Sequence, residues 1–289
     1  MSVVTVTRAT APVPPSAAPR SRFDPKRVYV GLAAFPLLYA IIAVAPAEVL
    51  LGLVAACACL SAVELFRLHL DTRPMPPAML AGLVGIVLVC VSAQWPTQLP
   101  LTGALLLATL GVLTTTLLPQ SPRDSRLADV SLACLAIGYI GLTLSTTLQT
   151  RALPSGVALI GILLIVTFAA DTGAYYAGIL FGRHALAPTI SPKKTIEGLI
   201  GGWLLACVAA VILCTWWLPN WSTVDAVVLS LVLTASGLVG DLVESALKRS
   251  VGVKDSGAIL PGHGGMLDRL DSLLFTAPTF HYYVTLLHG

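Results

Sequence analysis

The chain has 289 residues, 56% of them hydrophobic and only 11% charged, with a mean hydropathy of +0.87. That composition excludes an ordinary soluble domain, and a formal net charge of +3 gives no ground for a nucleic-acid partner. The expected fold is an all-α polytopic membrane protein.

Residues 1–27, rich in Pro, Ala, Ser, Thr and Arg with a single acid at Asp24, read as a disordered cytoplasmic tail, although a transit peptide shares the composition. Nine apolar stretches follow, near 28–45, 47–66, 77–94, 100–118, 127–148, 156–181, 198–218, 224–240 and 270–287. Each approaches the roughly 20 residues that a helical span takes. The first two are separated only by Pro46, which allows a tight helical hairpin. Residues 28–155 form a scaffold of transmembrane helices, and 156–289 a catalytic transmembrane region with cytoplasmic loops.

If nine helices alternate, one side receives the tail and the segments near 67–76, 119–126, 182–197 and 241–269. Those hold 16 of the 17 Lys and Arg residues, and only Arg151 falls on the other side. The positive-inside bias places the N-terminus in the cytoplasm and the C-terminus on the outer side. Trp95, Trp216, Trp217 and Trp221 then lie at outward ends, as an interfacial aromatic belt requires. The simplest host is a bacterial inner membrane. The six cysteines all lie within apolar stretches, show no metal or pairing pattern, and read as small buried hydrophobes.

Charge inside such a chain is costly, at least ~2.5 kcal/mol near a bilayer centre, and marks candidate function. Glu64, Asp171, Asp241, Asp268 and Asp271 all map to the cytoplasmic leaflet. Residues 245–271 concentrate four cations, three carboxylates, a histidine and five glycines. Glycines admit backbone N–H groups to a ligand, Lys and Arg pair with phosphate, and carboxylates hold a divalent cation. Continued as a helix, the eighth stretch puts Asp241, Glu244 or Ser245, and Lys248 on one face. That face could hold a metal and a phosphate. It could also be a solvated helix end with a Glu244–Lys248 pair of ~0.3–0.5 kcal/mol. Pro-Gly-His-Gly-Gly at 261–265 must turn, with His263 either chemical or incidental. Asp268 and Asp271 share a face and could ligate or cap the last helix. Ser191, Lys193, Lys194 and Thr195 precede a helix and suit a phosphate, or serve only as topology signals.

The segment 245–271 reads Ser-x-x-Lys-Arg, four residues, Lys-Asp, then Pro-Gly-His-Gly-Gly-x-x-Asp-Arg-x-Asp. It resembles the pattern of the phosphatidate cytidylyltransferases, or CDP-diacylglycerol synthases, and departs from it nowhere. Asp-Thr-Gly-Ala-Tyr at 171–175, Gly-Arg at 182–183, Ser-Pro-Lys-Lys-Thr at 191–195 and Gly-Asp-Leu-Val-Glu-Ser at 240–245 are similar to family segments in the same order. Spans one to five resemble the family only as a hydrophobic scaffold.

The resemblance implies that CTP and phosphatidate give CDP-diacylglycerol and pyrophosphate with Mg2+, and with a second cation of open identity. It implies Asp241 and Asp268 as principal metal ligands with Asp271 as a third, and Asp241, Lys248 and Asp268 as the catalytic set. Lys248, Arg249, Lys254 and Arg269 would hold phosphates. Lys193, Lys194 and Thr195 would hold CTP or the lipid phosphate, with Ser245 and His263 also on substrate. Asp171 would ligate or orient a lysine. The expected partners are CTP, phosphatidate, membrane lipids and a second copy of the chain in a homodimer. Related enzymes act on ether lipids or on a polyprenol, and the helices do not distinguish the tails. A transporter would place its charges near the midplane of a repeated architecture, and neither is seen.

Overall fold

The computed structural model describes residues 41–70, 73–118, 126–253, 256–257 and 265–288. Its helices are α1 (Ala47–Leu70), α2 (Pro77–Gln94), α3 (Leu101–Thr114, extended by a 3-10 turn at Thr115–Leu117), α4 (Arg126–Ala152), α5 (Gly156–Phe181), α6 (Ile196–Trp217), α7 (Thr223–Ser250) and α8 (Leu267–Leu287). Eight of the nine predicted stretches are therefore helical, and the first lies mostly outside the described residues. Six helices, α1, α2 and α4 to α7, are long and apolar enough to cross a membrane. The other helices among the described residues are the shorter α3, and α8 with Asp268, Asp271 and an internal Pro278. The protein is an integral membrane protein.

Helices α2, α3, α5 and α6 are apolar all round rather than amphipathic, which is the pattern of segments buried in protein on one side and lipid on the other. Large side chains such as Leu106, Ile179, Phe181 and Trp216 consequently stand exposed on the outside of the bundle. The main core lies among α5, α6, α7 and α8, where Ile162, Leu163, Ala206, Leu229, Leu233 and Phe280 are all but inaccessible. Without a hydrophobic driving force between helices in lipid, close association relies on small residues that let backbones approach. A Cβ at Gly198 of α6 would lie 2.8 Å from the Ala174 carbonyl oxygen of α5, and one at Gly240 of α7 would overlap the Asp271 carbonyl oxygen of α8.

Three features of the fold matter for the site. The eighth stretch, read as continuing helical through Lys248, runs on as α7 to Ser250 and stops at Val251, before Gly252 with φ 77°. Its polar end is helical because its charges find partners across the bundle. The loop expected over 182–197 contains an antiparallel hairpin, β1 (Ala185–Ala187) with β2 (Ser191–Thr195). Pro188 and Pro192 bar a helix there. The Glu197 carboxylate accepts from the backbone N–H groups of Arg183 and His184 at 3.1 and 3.2 Å, fixing the hairpin to the start of α6. Third, α4 widens into a π-helical segment at Ile137–Leu142, which sets Tyr139 edge-to-face on Phe275 of α8, the ring centroids 6.2 Å apart.

Candidate active site

Where α5, α7 and α8 bring their polar ends together beneath the hairpin, they enclose a cavity of about 430 Å³. Such a volume suits a small molecule or a headgroup. Asp171 and Tyr175 line it from α5, Lys193 and Lys194 from β2, Asp241 from α7, and Asp268 and Asp271 from α8. Thr167 and Thr234 carry the lining inward along α5 and α7. Thr234 lies seven residues from Asp241, roughly 10 Å at the helical rise, so the cavity runs from the hairpin into the apolar bundle.

Three ion pairs, made by two lysines, organise the wall. Lys194 Nζ meets Asp241 Oδ2 at 2.6 Å and ties the hairpin to α7, while the Ser245 hydroxyl donates to Asp241 Oδ1 at 3.3 Å. Lys248 Nζ lies 2.5 Å from Asp268 Oδ1 and 2.8 Å from Glu244 Oε2, joining α7 to α8. Asp268 also accepts from the backbone N–H groups of Gly265 and Ser256, both at 3.1 Å to Oδ2. Glu244 is 1% exposed, so the Glu244–Lys248 pair is buried machinery rather than the solvated helix end that spacing alone allowed. Lys248 is thus shared by a buried carboxylate and a partly buried one, and removing a partner of a buried charge costs up to roughly 3–5 kcal/mol.

The sequence-expected residues thus sort clearly. Asp171, Lys193, Lys194, Thr195, Asp241, Asp268 and Asp271 surround one cavity. Ser245 and Lys248 reach it through their bonds to Asp241 and Asp268. The Thr195 hydroxyl also accepts from Gly198 N–H at 3.1 Å and caps α6. Arg249 is exposed and donates to the Val253 carbonyl at 3.1 Å, and Arg269 is exposed in the first turn of α8; neither lines the cavity. Lys254 and His263 lie outside the described residues. Two acids were underused in the sequence reading: Glu244, whose i,i+4 spacing to Lys248 was visible but whose burial was not, and Glu64, whose partners lie about 190 to 200 residues away.

Among the described residues no three His, Cys, Asp or Glu side chains form a ready-made metal cage. The donor set is nonetheless one that suits Mg2+, an ion usually held by one or two carboxylates together with substrate phosphates. The charge count points the same way: four carboxylates face the cavity against two lysines. An anionic ligand entering there needs added positive charge.

These features define a polytopic membrane protein whose core helices carry an ionic, carboxylate-rich cavity at one end. The chain belongs to the cytidylyltransferase family, which it matches across residues 25–287. A phosphatidate cytidylyltransferase of Staphylococcus epidermidis is 34% identical over 217 residues, covering 74% of this chain and 82% of that protein. One of Staphylococcus saprophyticus is 40% identical over 150 residues, 52% of this chain and 57% of its own length. An uncharacterised Escherichia coli protein, YnbB, is 44% identical over 137 residues, 47% of this chain and 46% of its own. The matched part of the chain spans about half the length of these last two relatives.

Proposed function

We propose that the chain transfers the cytidylyl group of CTP to phosphatidate, giving CDP-diacylglycerol and pyrophosphate for phospholipid synthesis. An oxygen of the lipid phosphate attacks the α-phosphorus of CTP, the new P–O bond forms, and the bond to the β-phosphate breaks as pyrophosphate departs. Both substrates are anions, so positioning and charge neutralisation carry most of the catalysis. The observation that supports this reading best is the single cavity where carboxylates outnumber lysines at the end of an apolar bundle. Lipid tails would enter between helices while the nucleotide comes from the aqueous side, and the named relatives make phosphatidate the first lipid to test.

Asp241, Asp271 and Asp171 would hold Mg2+, with a second cation fitting the same carboxylate excess. Bound there, the ion would neutralise phosphate charge as the leaving group develops. Asp268 already accepts from three protein donors, so its proposed work is to hold Lys248 and shape the field at the cavity wall. Lys193, exposed at the mouth, is the first phosphate contact, and Lys194 the second where it meets Asp241. The nine-span arrangement with this cavity facing the cytoplasm follows from the asymmetry of Lys and Arg, and an inner-membrane location agrees with it. The homodimer rests on the family resemblance.

The test is CDP-diacylglycerol formation by the purified protein in detergent, from labelled CTP and phosphatidate, with Mg2+ or with EDTA. Mg2+-dependent product and equimolar pyrophosphate are expected. Turnover with a polyprenol phosphate or an ether lipid, but not phosphatidate, would replace the lipid. No consumption of CTP with any of them would overturn the reaction.

A further inference from the structure

We infer that Glu64, on α1 in the scaffold half, is a positioning residue of the active site, an inference that rests on reading the cavity as the cytidylyl-transfer site. Glu64 is 1% exposed. Its Oε1 accepts from Met266 N–H at 2.9 Å, and its Oε2 accepts from Leu267 N–H at 2.8 Å and from the Ser256 hydroxyl at 3.0 Å. The first N–H groups of a helix have no partner within it and carry the positive end of its dipole. No local side chain caps α8: Met266 occupies the N-cap position. A carboxylate from a helix some 200 residues earlier supplies the cap instead.

The same short segments feed the catalytic wall. Ser256 gives its hydroxyl to Glu64 and its backbone N–H to Asp268, while Gly265 N–H goes to Asp268 and the next two N–H groups go to Glu64. Two acids from different helices thus share the donors of two short segments, and Asp268 in turn holds Lys248. The glycines fit this grip. A Cβ at Gly257 would lie 2.9 Å from Glu64 Oε1, and one at Gly265 would overlap the Ser256 hydroxyl. The scaffold helix is therefore in direct contact with the element that sets Asp268, without lining the cavity.

Glu64→Gln keeps the size but turns an NH2 toward one of the two helix N–H donors, so α8 loses part of its cap. In the full-length protein in detergent, kcat for CDP-diacylglycerol is expected to fall about 10- to 100-fold, with KM for CTP and phosphatidate within about twofold, since a substitution outside the cavity that slightly misplaces groups in its wall acts mainly on the chemical step. Amide hydrogen exchange should accelerate in peptides spanning 265–271 and at Ser256, and stay as in the wild type in α5 and α6. Unchanged kcat overturns the inference, and so does exchange that rises in every helix, the mark of a merely structural residue. If the variant does not fold, Ser256→Ala removes only the bridging hydroxyl and should lower kcat by about tenfold with the same local exchange change; no change in either overturns the inference. If the wild-type protein forms no CDP-diacylglycerol, the proposed reaction falls, and exchange alone decides Glu64: an increase confined to these segments supports the grip, and none overturns it.

Discussion

At the start of α7, Ser222 and Asp225 satisfy one another: the Ser222 hydroxyl accepts from Asp225 N–H at 3.1 Å, and the Asp225 carboxylate accepts from Ser222 N–H at 2.9 Å. Tyr283 of α8 donates to the Asp225 carbonyl at 3.1 Å, and Trp221 stacks on His288 with centroids 3.9 Å apart. At the other end of the same helix pair, Asp241 is bound by a lysine from the hairpin and Lys248 by an aspartate from α8. The first end uses partners close in sequence or neutral groups, and closes the bundle. The second draws charges from separate elements to one cavity, which Asp171, Asp271 and Lys193 also line. Such an accumulation of charge opposes packing, and its concentration at one end of the core marks that end as the functional one.

The largest effect that tests this contrast is at the charged end. Asp241→Asn keeps the shape but removes the charge that Lys194 and a cation would share. CDP-diacylglycerol formation should fall at least about 100-fold. The pair is partly open to solvent, with Lys194 and Asp241 side chains 21% and 34% exposed. The accompanying change in unfolding free energy should therefore stay within ~1 kcal/mol. Activity near wild type would remove Asp241 from the site; collapse of the thermal transition would make the pair structural.

A smaller, mixed effect is expected from Gly240→Val. The added side chain overlaps the Asp271 carbonyl oxygen, so α7 and α8 must part at the level of Asp241 and Asp271. Overpacking of this kind costs ~1–3 kcal/mol, and misplacement of the carboxylates should lower turnover by up to about 100-fold. Gly111→Ala in α3 is the matched control: a Cβ there meets nothing within 4 Å, so activity and unfolding should be unchanged or slightly improved. Equal losses in the two variants would show that helix separation at the cavity is not what matters.

What could be read in the sequence, and what could not, divides along the same line. Long apolar runs bounded by Pro, Gly and charge specify helices locally, so α2 and α5 begin and end where the pattern predicts. The i, i+3/i+4, i+7 spacing puts Asp241, Glu244 or Ser245, and Lys248 on one face, and in the structure Ser245 bonds Asp241 while Glu244 pairs with Lys248. Which charges pair was not readable, because Lys194–Asp241 and Lys248–Asp268 depend on how separate helices dock. Glu64 illustrates the limit best. A lone acid in an apolar stretch announces that something must satisfy it, but two of its three donors are backbone N–H groups, which leave no trace in residue identity, and the third is a serine about 190 residues away. The hairpin under 185–195 was hidden for the opposite reason: its prolines exclude a helix without specifying a strand.

The smallest effect comes from the closed end and decides whether the two ends are separable. Ser222→Ala removes the hydroxyl that accepts from Asp225 N–H and breaks one half of a reciprocal cap. Loss of such a cap costs ~0.5–2 kcal/mol. The cap lies about 19 residues, over five helical turns, from Asp241, roughly 28 Å along α7. At that distance, with no shared partner, the energetic effects of the two sites should add. Thermal unfolding should therefore shift while turnover per folded molecule, and KM for both substrates, stay as in the wild type. A fall in kcat beyond about twofold in Ser222→Ala would mean that strain at the closed end is transmitted along α7 to Asp241. The helix would then act as a lever between the two ends, and the division of labour drawn above would fail.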